Sequence, residues 1–195
     1  MNIIGITGLP SSGKGEFSKV ASDFGFHEII MGDVIRKEVK ARGLKMTREN
    51  SNQIMLQLRE ERGQDVVAVV TLEWIKQAIN DGKDQILIDG IRSMNEVNLF
   101  KEIYPELKII AIHADPMTRY LRSKNRRRKD DAYSLSSFQK RDKIELQVGI
   151  GNVIALADIL IPSPSTLEEA RSIYREVLHE IETEESKKIG VVNGC

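Results

Sequence analysis

The stretch Gly8-Leu9-Pro10-Ser11-Ser12-Gly13-Lys14 decides the expected fold of this 195-residue chain. It follows an apolar, β-prone run at residues 2–7 and precedes a stretch with helical periodicity. Glycines at both ends let the backbone turn its N–H groups toward phosphate oxygens, and the helix directs its partially positive N-terminus to the same place. The lysine adds a mobile positive charge for the outer phosphates. A strand, a glycine-containing loop and a helix in this order predict a site for a nucleoside triphosphate.

Position 15 departs from the common form of such loops. Gly15 stands where a Ser or Thr hydroxyl usually reaches Mg²⁺. Because Mg²⁺ readily keeps several waters, we expect water-mediated contacts and an acidic residue elsewhere to hold the ion. The role of Glu16, in the first turn of the helix, stays open at this point. The expected ATP-binding residues are Gly8, Leu9, Pro10, Ser11, Ser12, Gly13, Lys14, Gly15 and Glu16.

Composition limits the class of protein. A length of 195 residues with 41% hydrophobic content suits one α/β domain. The 29 basic residues balance 29 acidic ones, so overall charge provides no general attraction to nucleic acid or to an anionic membrane. The one cysteine, Cys195, excludes an internal disulfide, and no apolar run approaches membrane-spanning length. We therefore expect a cytoplasmic monomer or small homo-oligomer whose partner is a small molecule rather than a membrane or a nucleic acid.

Short β-prone runs alternate with longer helical patterns, which is typical of a parallel sheet covered by helices. The predicted strands are 2–7, 27–31, 85–89, 107–113 and 157–161, and the predicted helices are 14–24, 33–43, 48–62, 65–80, 94–102, 116–127, 135–147 and 166–184. The pattern predicts a three-layer α/β fold with a five-stranded parallel sheet. We expect a single domain over 1–184, with a helical insertion at about 33–63, a lid at about 119–141 and a flexible tail at 185–195.

Two pairs of acidic and basic residues follow predicted strands. Asp33 and Arg36 stand one helical turn apart after the second strand, and Asp89 and Arg92 follow the third. Ligands of open α/β sheets bind beyond the carboxyl ends of the strands, so we expect both pairs to face the crevice at the phosphate loop. The arginines suit an acceptor phosphate, and Asp89 suits the water shell of Mg²⁺. Helix capping by the aspartates and solvated arginines are the alternative interpretation. The expected acceptor-binding residues are Gly32, Asp33, Arg36, Gly90 and Arg92.

A basic segment follows the fourth predicted strand. Its members are Arg119, Arg122, Lys124, Arg126, Arg127, Arg128 and Lys129. Such a run fits a solvated helix face, a nucleic-acid footprint or a mobile lid whose arginines close over phosphates. Its position at the same edge of the sheet favours the lid. The segment lacks the Cys/His spacing of a zinc site, so we expect no structural zinc there.

Taken in chain order, these motifs resemble those of adenylate-kinase-type nucleoside monophosphate kinases. The resemblance covers residues 8 to about 142 and rests on Pro10 and Gly15 in the loop, Gly32-Asp33 with Arg36, Asp89-Gly90 with Arg92, and the lid arginines. Residues 149–161 are also similar to the last strand region of dephospho-CoA kinases. The chain is most similar to a small, mostly archaeal adenylate-kinase-related group. Three departures leave the acceptor open: Ser11 replaces a glycine, Glu16 a Thr, and Met31 a Ser or Thr beside the acceptor.

The resemblance implies in-line transfer of the γ-phosphoryl group of ATP, with Mg²⁺, in which positioning and charge neutralisation supply nearly all the catalysis. The residues implied as catalytic are Lys14, Asp33, Arg92, Arg119, Arg122 and Arg126. A nucleoside monophosphate needs no strong base, because its phosphate oxygen is already anionic. A ribose hydroxyl needs one, and Asp33 is the candidate. A nucleotide-gated regulatory protein that hydrolyses ATP slowly is a further alternative.

Overall fold

The computed structural model describes the backbone of residues 1–126, 134–164 and 166–192, and the side chains of these residues except 126 and 185–192. Five strands form one parallel sheet: β1 (Asn2–Thr7), β2 (His27–Ile30), β3 (Gln85–Asp89), β4 (Lys108–His113) and β5 (Ile159–Pro162). Their order across the sheet is β2-β3-β1-β4-β5. Because β1 is flanked by β3 on one side and β4 on the other, the ligand crevice is expected beyond its carboxyl end.

The helices of the described residues cover both faces of the sheet. They are α1 (Lys14–Asp23), α2 (Gly32–Ala41), α3 (Arg48–Arg62), α4 (Val66–Asn80), α5 (Met94–Ile103), α6 (Pro116–Arg126), α7 (Leu135–Val148), α8 (Ile150–Ala155) and α9 (Leu167–Val192). The strand register places Ile6 beside Asp89 and Thr7 beside Ala111. The loops that follow β1, β3 and β4 therefore begin at the same edge of the sheet.

Alternation along the strands separates two apolar layers. In β3, Ile86 and Ile88 pack with α2 to α5, whereas Leu87 packs with α1 and α9 on the other face. A side-chain period of two sends neighbouring residues to opposite faces, so a strand buried on both sides reads as a continuous apolar run. This confirms the predicted three-layer α/β fold with a five-stranded parallel sheet.

Two segments differ from the predicted elements. Helix α8 (Ile150–Ala155) was not predicted, since six residues after Gly149 are too few for a helical period to stand out. Helix α9 continues to Val192, eight residues past the predicted end at 184, and so covers most of the segment expected to be a flexible tail. Among the described side chains of α9, the last buried apolar one is Ile181, and the Glu and Lys residues that follow it in the sequence have high helix propensity. Among the described residues, no helix is both long and apolar enough to cross a membrane.

Candidate active site

The loop between β1 and α1 has a backbone that only small residues permit. Gly8 has φ +146°, and a Cβ there would lie 2.4 Å from the carbonyl oxygen of Ile112. Gly13 has φ +123°, and a Cβ there would lie 2.9 Å from the hydroxyl of Tyr174. Ser11 adopts the left-handed region at φ +64° without being glycine. These positions let the loop turn tightly at the N-terminus of α1, the arrangement that exposes N–H groups to an anion.

Lys14 opens α1, and its ammonium group folds back onto the loop. Its Nζ donates to the carbonyl oxygens of Gly8 at 2.5 Å and Leu9 at 3.4 Å. Burial lowers the pKa of Lys14 from 10.5 to about 8, although the negative charge of Asp89 opposes the shift. A desolvated cation that donates to carbonyl oxygens gains strongly from an incoming anion.

Arg119 of α6 is a buried connection between the loop and α7. Its guanidinium forms two hydrogen bonds to the carboxylate of Asp142, at 2.8 and 2.6 Å, and donates to the carbonyl oxygen of Pro10 at 3.3 Å. Its Nε donates to the carbonyl oxygen of Ala114 at 3.0 Å, and the residue is only 1% exposed. In this structure the guanidinium of Arg119 thus binds protein groups, and its role is to hold the loop and α7 together.

Arg122, one turn further along α6, connects the loop to the chain after β5. It donates to the carbonyl oxygen of Ser12 at 3.2 Å and to the hydroxyl of Ser163 at 2.8 Å. Its other Nη donates to the carbonyl oxygen of Pro164 at 2.8 Å. Together with Arg119, it holds loop carbonyls by hydrogen bonds, which orients the peptide units of the loop.

The end of β3 brings an acidic and a basic side chain to the crevice. Asp89 Oδ1 is buried and has no hydrogen-bond partner among the described residues. Arg92 Nε lies 2.9 Å from Oε2 of Glu145 on α7. The charge of Glu145 raises the pKa of Arg92, against the opposing effect of burial. Asp89, Arg92 and Glu145 therefore all border the crevice, and Arg92 has Glu145 as a partner there.

The start of α2 contributes a more exposed pair. Asp33 and Arg36 form an ion pair across one helical turn, with 42% and 54% of their side chains exposed. Arg36 also lies against Gly32, where a Cβ would be 3.6 Å from its Nη2. Exposed ion pairs of this kind contribute little to stability, so the Arg36 side chain is available to another anion.

Glu16 receives a role from the structure. Its carboxylate accepts hydrogen bonds from Arg171 of α9 at 2.7 Å and from Lys19 at 3.1 Å. Burial works to raise the pKa of Glu16, but these hydrogen bonds outweigh it and the pKa is lowered. The residue stays anionic with two cations beside it, and it ties α1 to α9 instead of presenting a bare charge to phosphates.

These parts border one cleft of about 620 Å³ at the carboxyl edge of the sheet. The sequence-predicted residues that border it are Gly8, Pro10, Ser11, Ser12, Gly13, Lys14, Gly15, Glu16, Arg36, Asp89, Gly90, Arg92 and Arg122. Four predicted residues lie outside the lining: Leu9, Gly32, Asp33 and Arg119. The side chain of Arg126 and residues 127–133 of the predicted lid lie outside the described residues.

Several residues that border the cleft were not among the predicted site residues, although Arg141 lies within the predicted lid. Arg141 and Glu145 border the cleft from α7, and Ser163, Thr166 and Tyr174 border it from β5's exit and α9. The spacing of Arg141 and Glu145, one helical turn apart after a basic segment, was a usable signal. No local pattern marks the residues of the chain after β5, because their neighbours in the cleft come from the other end of the sequence.

The cleft fits Mg²⁺ held largely by water and phosphate. No group of three His, Cys, Asp or Glu side chains that could hold a metal ion is found in the described part of the chain. Gly15 offers no hydroxyl, whereas the carboxylate of Asp89, which borders the cleft at the end of β3, is a hard ligand. Mg²⁺ often binds through one or two carboxylates plus waters and phosphates, so this donor set is compatible with the ion.

Solved structures define the class of this fold. TT1252 from Thermus thermophilus superposes with a TM-score of 0.62 at 16% identity, covering 92% of this chain and 97% of that one. A shikimate kinase from Acinetobacter baumannii, in complex with shikimate, has a TM-score of 0.58 at 13% identity, covering 94% of both chains. A gluconokinase from Sinorhizobium meliloti 1021 has a TM-score of 0.51 at 14% identity, covering 95% and 97%. The chain has the fold of the P-loop kinases.

Sequence relatives define the family. The AAA domain family matches residues 7–136. The UPF0200 protein of Methanoregula boonei is 42% identical over 94% of this chain and 100% of that protein. The UPF0200 protein of Methanocaldococcus jannaschii is 40% identical over 93% of this chain and 91% of its own length. This chain belongs to the UPF0200 family and carries an AAA domain; the narrower likeness to adenylate kinases stays a prediction.

Proposed function

We propose that this chain is an ATP-dependent phosphotransferase that moves the γ-phosphoryl group of ATP to a nucleotide or nucleotide-like acceptor. The observation that carries the proposal is the set of charges in one cleft. The loop of residues 8–14 with its desolvated Lys14, the cationic Arg92 and Arg122, and the acidic Asp89 all border it. Phosphoryl transfer requires this kind of pre-positioned positive charge more than covalent chemistry by the protein.

The donor triphosphate is proposed to bind over the loop. Its oxygens would take the N–H groups at the start of α1, and Lys14 would exchange the carbonyls of Gly8 and Leu9 for a phosphate oxygen. Leu167 and Ala170 of α9 supply an apolar wall of the same cleft. Nucleotide sites combine apolar lining with a few polar groups, so this wall suits the nucleoside part.

Asp89 is the residue proposed to hold Mg²⁺, through its water shell. When bound, the ion would neutralise charge on the phosphate oxygens. Asp89 itself lies near Lys14, where its charge raises the lysine's pKa. The carboxylate thereby helps keep the Lys14 ammonium group protonated for the triphosphate.

The acceptor is proposed to bind through its phosphoryl group to Arg36 and Arg92. These two arginines border the cleft from α2 and from the turn after β3. A monophosphate needs alignment but no base. A hydroxyl acceptor needs a base, and the carboxylate of Asp33 is paired with Arg36 outside the cleft lining. This placement favours a phosphoryl oxygen over a hydroxyl as the attacking atom.

The test is a product analysis with a matched pair of lysine variants. The protein is incubated with ATP, Mg²⁺ and either AMP, CMP, UMP, dephospho-CoA or no acceptor, and products are identified by phosphorus NMR. We expect a nucleoside diphosphate from at least one monophosphate. Lys14→Met should lower this rate roughly a thousandfold or more, because it removes the charge at the transferring group. Lys83→Met, at an exposed position away from the cleft, should act as the parent does.

Other product patterns would identify a different activity or overturn the proposal. ADP formed equally with and without acceptor would identify a slow ATPase instead of a kinase. Phosphorylation of dephospho-CoA alone would identify a hydroxyl acceptor. Absence of any ATP turnover, or full turnover by Lys14→Met, would overturn the proposal.

A further inference from the structure

Glu145 is an acidic side chain that borders the cleft together with the basic Lys14, Arg92 and Arg122. Its Oε2 lies 2.9 Å from Arg92 Nε, and only 13% of its side chain is exposed. Both residues border the cleft. The pair joins α7 to the turn after β3, two segments that are distant in the sequence. Glu145 therefore lies against the arginine that we propose for the acceptor phosphate.

The charge of Glu145 extends to the donor side. Lys14 is influenced by Asp89, Arg92 and Glu145 together, so its ammonium group and the acceptor-side pair belong to one charge cluster. Arg92 is itself held near Glu96, whose Oε2 accepts from the backbone N–H of Arg92 at 2.7 Å. The other oxygen of Glu96 accepts from the buried Arg59 of α3 at 2.7 Å.

The contacts of Arg92 fix its backbone but leave the partner of its guanidinium exchangeable. The backbone is anchored by Glu96, which is 0% exposed and has its charge compensated by Arg59. The guanidinium, with 25% of the Arg92 side chain exposed, contacts the carboxylate of Glu145. Because a quarter of the Arg92 side chain is exposed, a second anion can reach the guanidinium, and one with more charge and more acceptor oxygens can replace the carboxylate.

Resting on the proposed function, we propose that Glu145 is a specificity-determining residue that competes with the acceptor for Arg92. It occupies the position of the acceptor's phosphoryl group when the cleft is empty, and the incoming group must displace it. A dianionic phosphoryl group carries more charge and more acceptor oxygens than a carboxylate, so it displaces Glu145 from Arg92. A carboxylate on an acceptor carries the same single charge as Glu145, so it does not displace Glu145 from Arg92. Glu145 thus selects for phosphorylated acceptors.

The test measures anion binding on the acceptor side alone. The phosphate loop is first saturated with a non-hydrolysable ATP analogue and Mg²⁺, and inorganic phosphate is then titrated and followed by phosphorus NMR line broadening. Glu145→Gln should bind phosphate roughly tenfold more tightly than the parent, a size typical of energetic coupling between binding events. Glu145→Asp, which keeps the charge on a shorter side chain, should lie between the two.

A double-mutant cycle separates competition for Arg92 from a general effect of charge. Arg92→Met should abolish the gain, so that adding Glu145→Gln to it changes phosphate binding little. Glu180→Gln removes an equal charge from an exposed position on α9 and should match the parent. The inference is overturned if Glu145→Gln shows no gain, or if the gain persists without Arg92. Failure of the parent to bind the ATP analogue in calorimetry would instead count against the proposed function, and the same cycle run on the unloaded protein would still decide the role of Glu145.

Discussion

The proposed donor and acceptor sides of the cleft are built in different ways. On the proposed donor side, the loop backbone is held by close packing and by two arginines: Gly8 lies against Ile112, and the buried Arg119 and the partly buried Arg122 donate to the carbonyls of Pro10 and Ser12. On the acceptor side, the arginines have carboxylate partners within or beside the cleft, as in the Asp33–Arg36 and Arg92–Glu145 pairs.

The difference shows where specificity can reside. Backbone N–H groups fixed by packing bind phosphate regardless of what is attached to it, which suits a common donor. Side-chain ion pairs exchange partners, so the proposed acceptor site would discriminate by how well a ligand replaces a carboxylate. The predictions below test first the rigidity of the donor side and then the exchangeability of the acceptor side.

The largest effect is expected from adding a methyl group to the loop. In Gly8→Ala the new Cβ would meet a backbone oxygen at 2.4 Å while φ is +146°, so the loop cannot keep its geometry. We expect ATP binding to be lost and the free energy of unfolding to fall by more than about 2 kcal/mol.

Gly82→Ala is the matched control for this change. Gly82 also has positive φ, +80°, but no atom lies within 4 Å of its added Cβ. The substitution should therefore lower the free energy of unfolding by only about 1 kcal/mol, the cost of placing an alanine at positive φ. Binding of the ATP analogue should stay unchanged. Urea unfolding and calorimetry with an ATP analogue measure both variants. Equal losses in the two would show that close packing does not hold the loop.

A smaller effect concerns the pH dependence of donor binding. Burial holds the pKa of Lys14 at about 8 in the empty cleft, and a bound triphosphate should raise it. Above this pH the free protein loses the proton while the complex keeps it, so binding takes up a proton. Affinity for the ATP analogue should then fall as pH rises from about 8, by up to roughly tenfold per unit.

Calorimetry in two buffers of different ionisation enthalpy measures this proton uptake directly. Lys14→Met should show weaker affinity without the dependence above pH 8. A parent whose affinity is flat between pH 8 and 9.5, or which releases a proton on binding, would show that the ammonium group does not contact the phosphates.

The smallest effect is expected at the exposed acceptor-side pair. Asp33→Asn removes the carboxylate that Arg36 contacts but leaves the cleft lining unchanged. With a monophosphate acceptor, turnover should change less than about threefold, and KM for the acceptor should fall slightly because Arg36 is released. Steady-state kinetics measure both constants. A loss of about a hundredfold in kcat would instead identify Asp33 as a general base.

Much of the fold was predictable because it depends on local patterns. The five strands were found within about two residues at each end, since their apolar runs are bounded by glycines and charged residues. The loop of residues 8–14 and the positions of Asp89 and Arg92 followed from strand ends, because parallel strands present their carboxyl ends at one edge. Helix α8 was missed because six residues carry too little periodicity.

The roles of the basic residues were less predictable. Arg119 and Arg122 stand one turn apart in the same basic segment, yet Arg119 is buried against Asp142 and Arg122 borders the cleft. The sequence contains 29 basic and 29 acidic residues. Many different ion pairs between distant segments are therefore equally consistent with the sequence. Glu145 illustrates the same point, since nothing near it in the chain indicates Arg92 as its partner.

The amino-acid sequence alone determined a strand, a phosphate loop and a helix at the start of a parallel sheet, because hydrophobic period, glycine and lysine act over a few residues. The tertiary structure alone decided which charges meet in the cleft. Helices α6, α7 and α9 bring Arg122, Glu145 and Arg171 to partners far away in the chain. The strength of an electrostatic pair depends on the distance between the two charges and on their burial. For residues on different helices and strands, the number of residues between them in the sequence gives neither quantity.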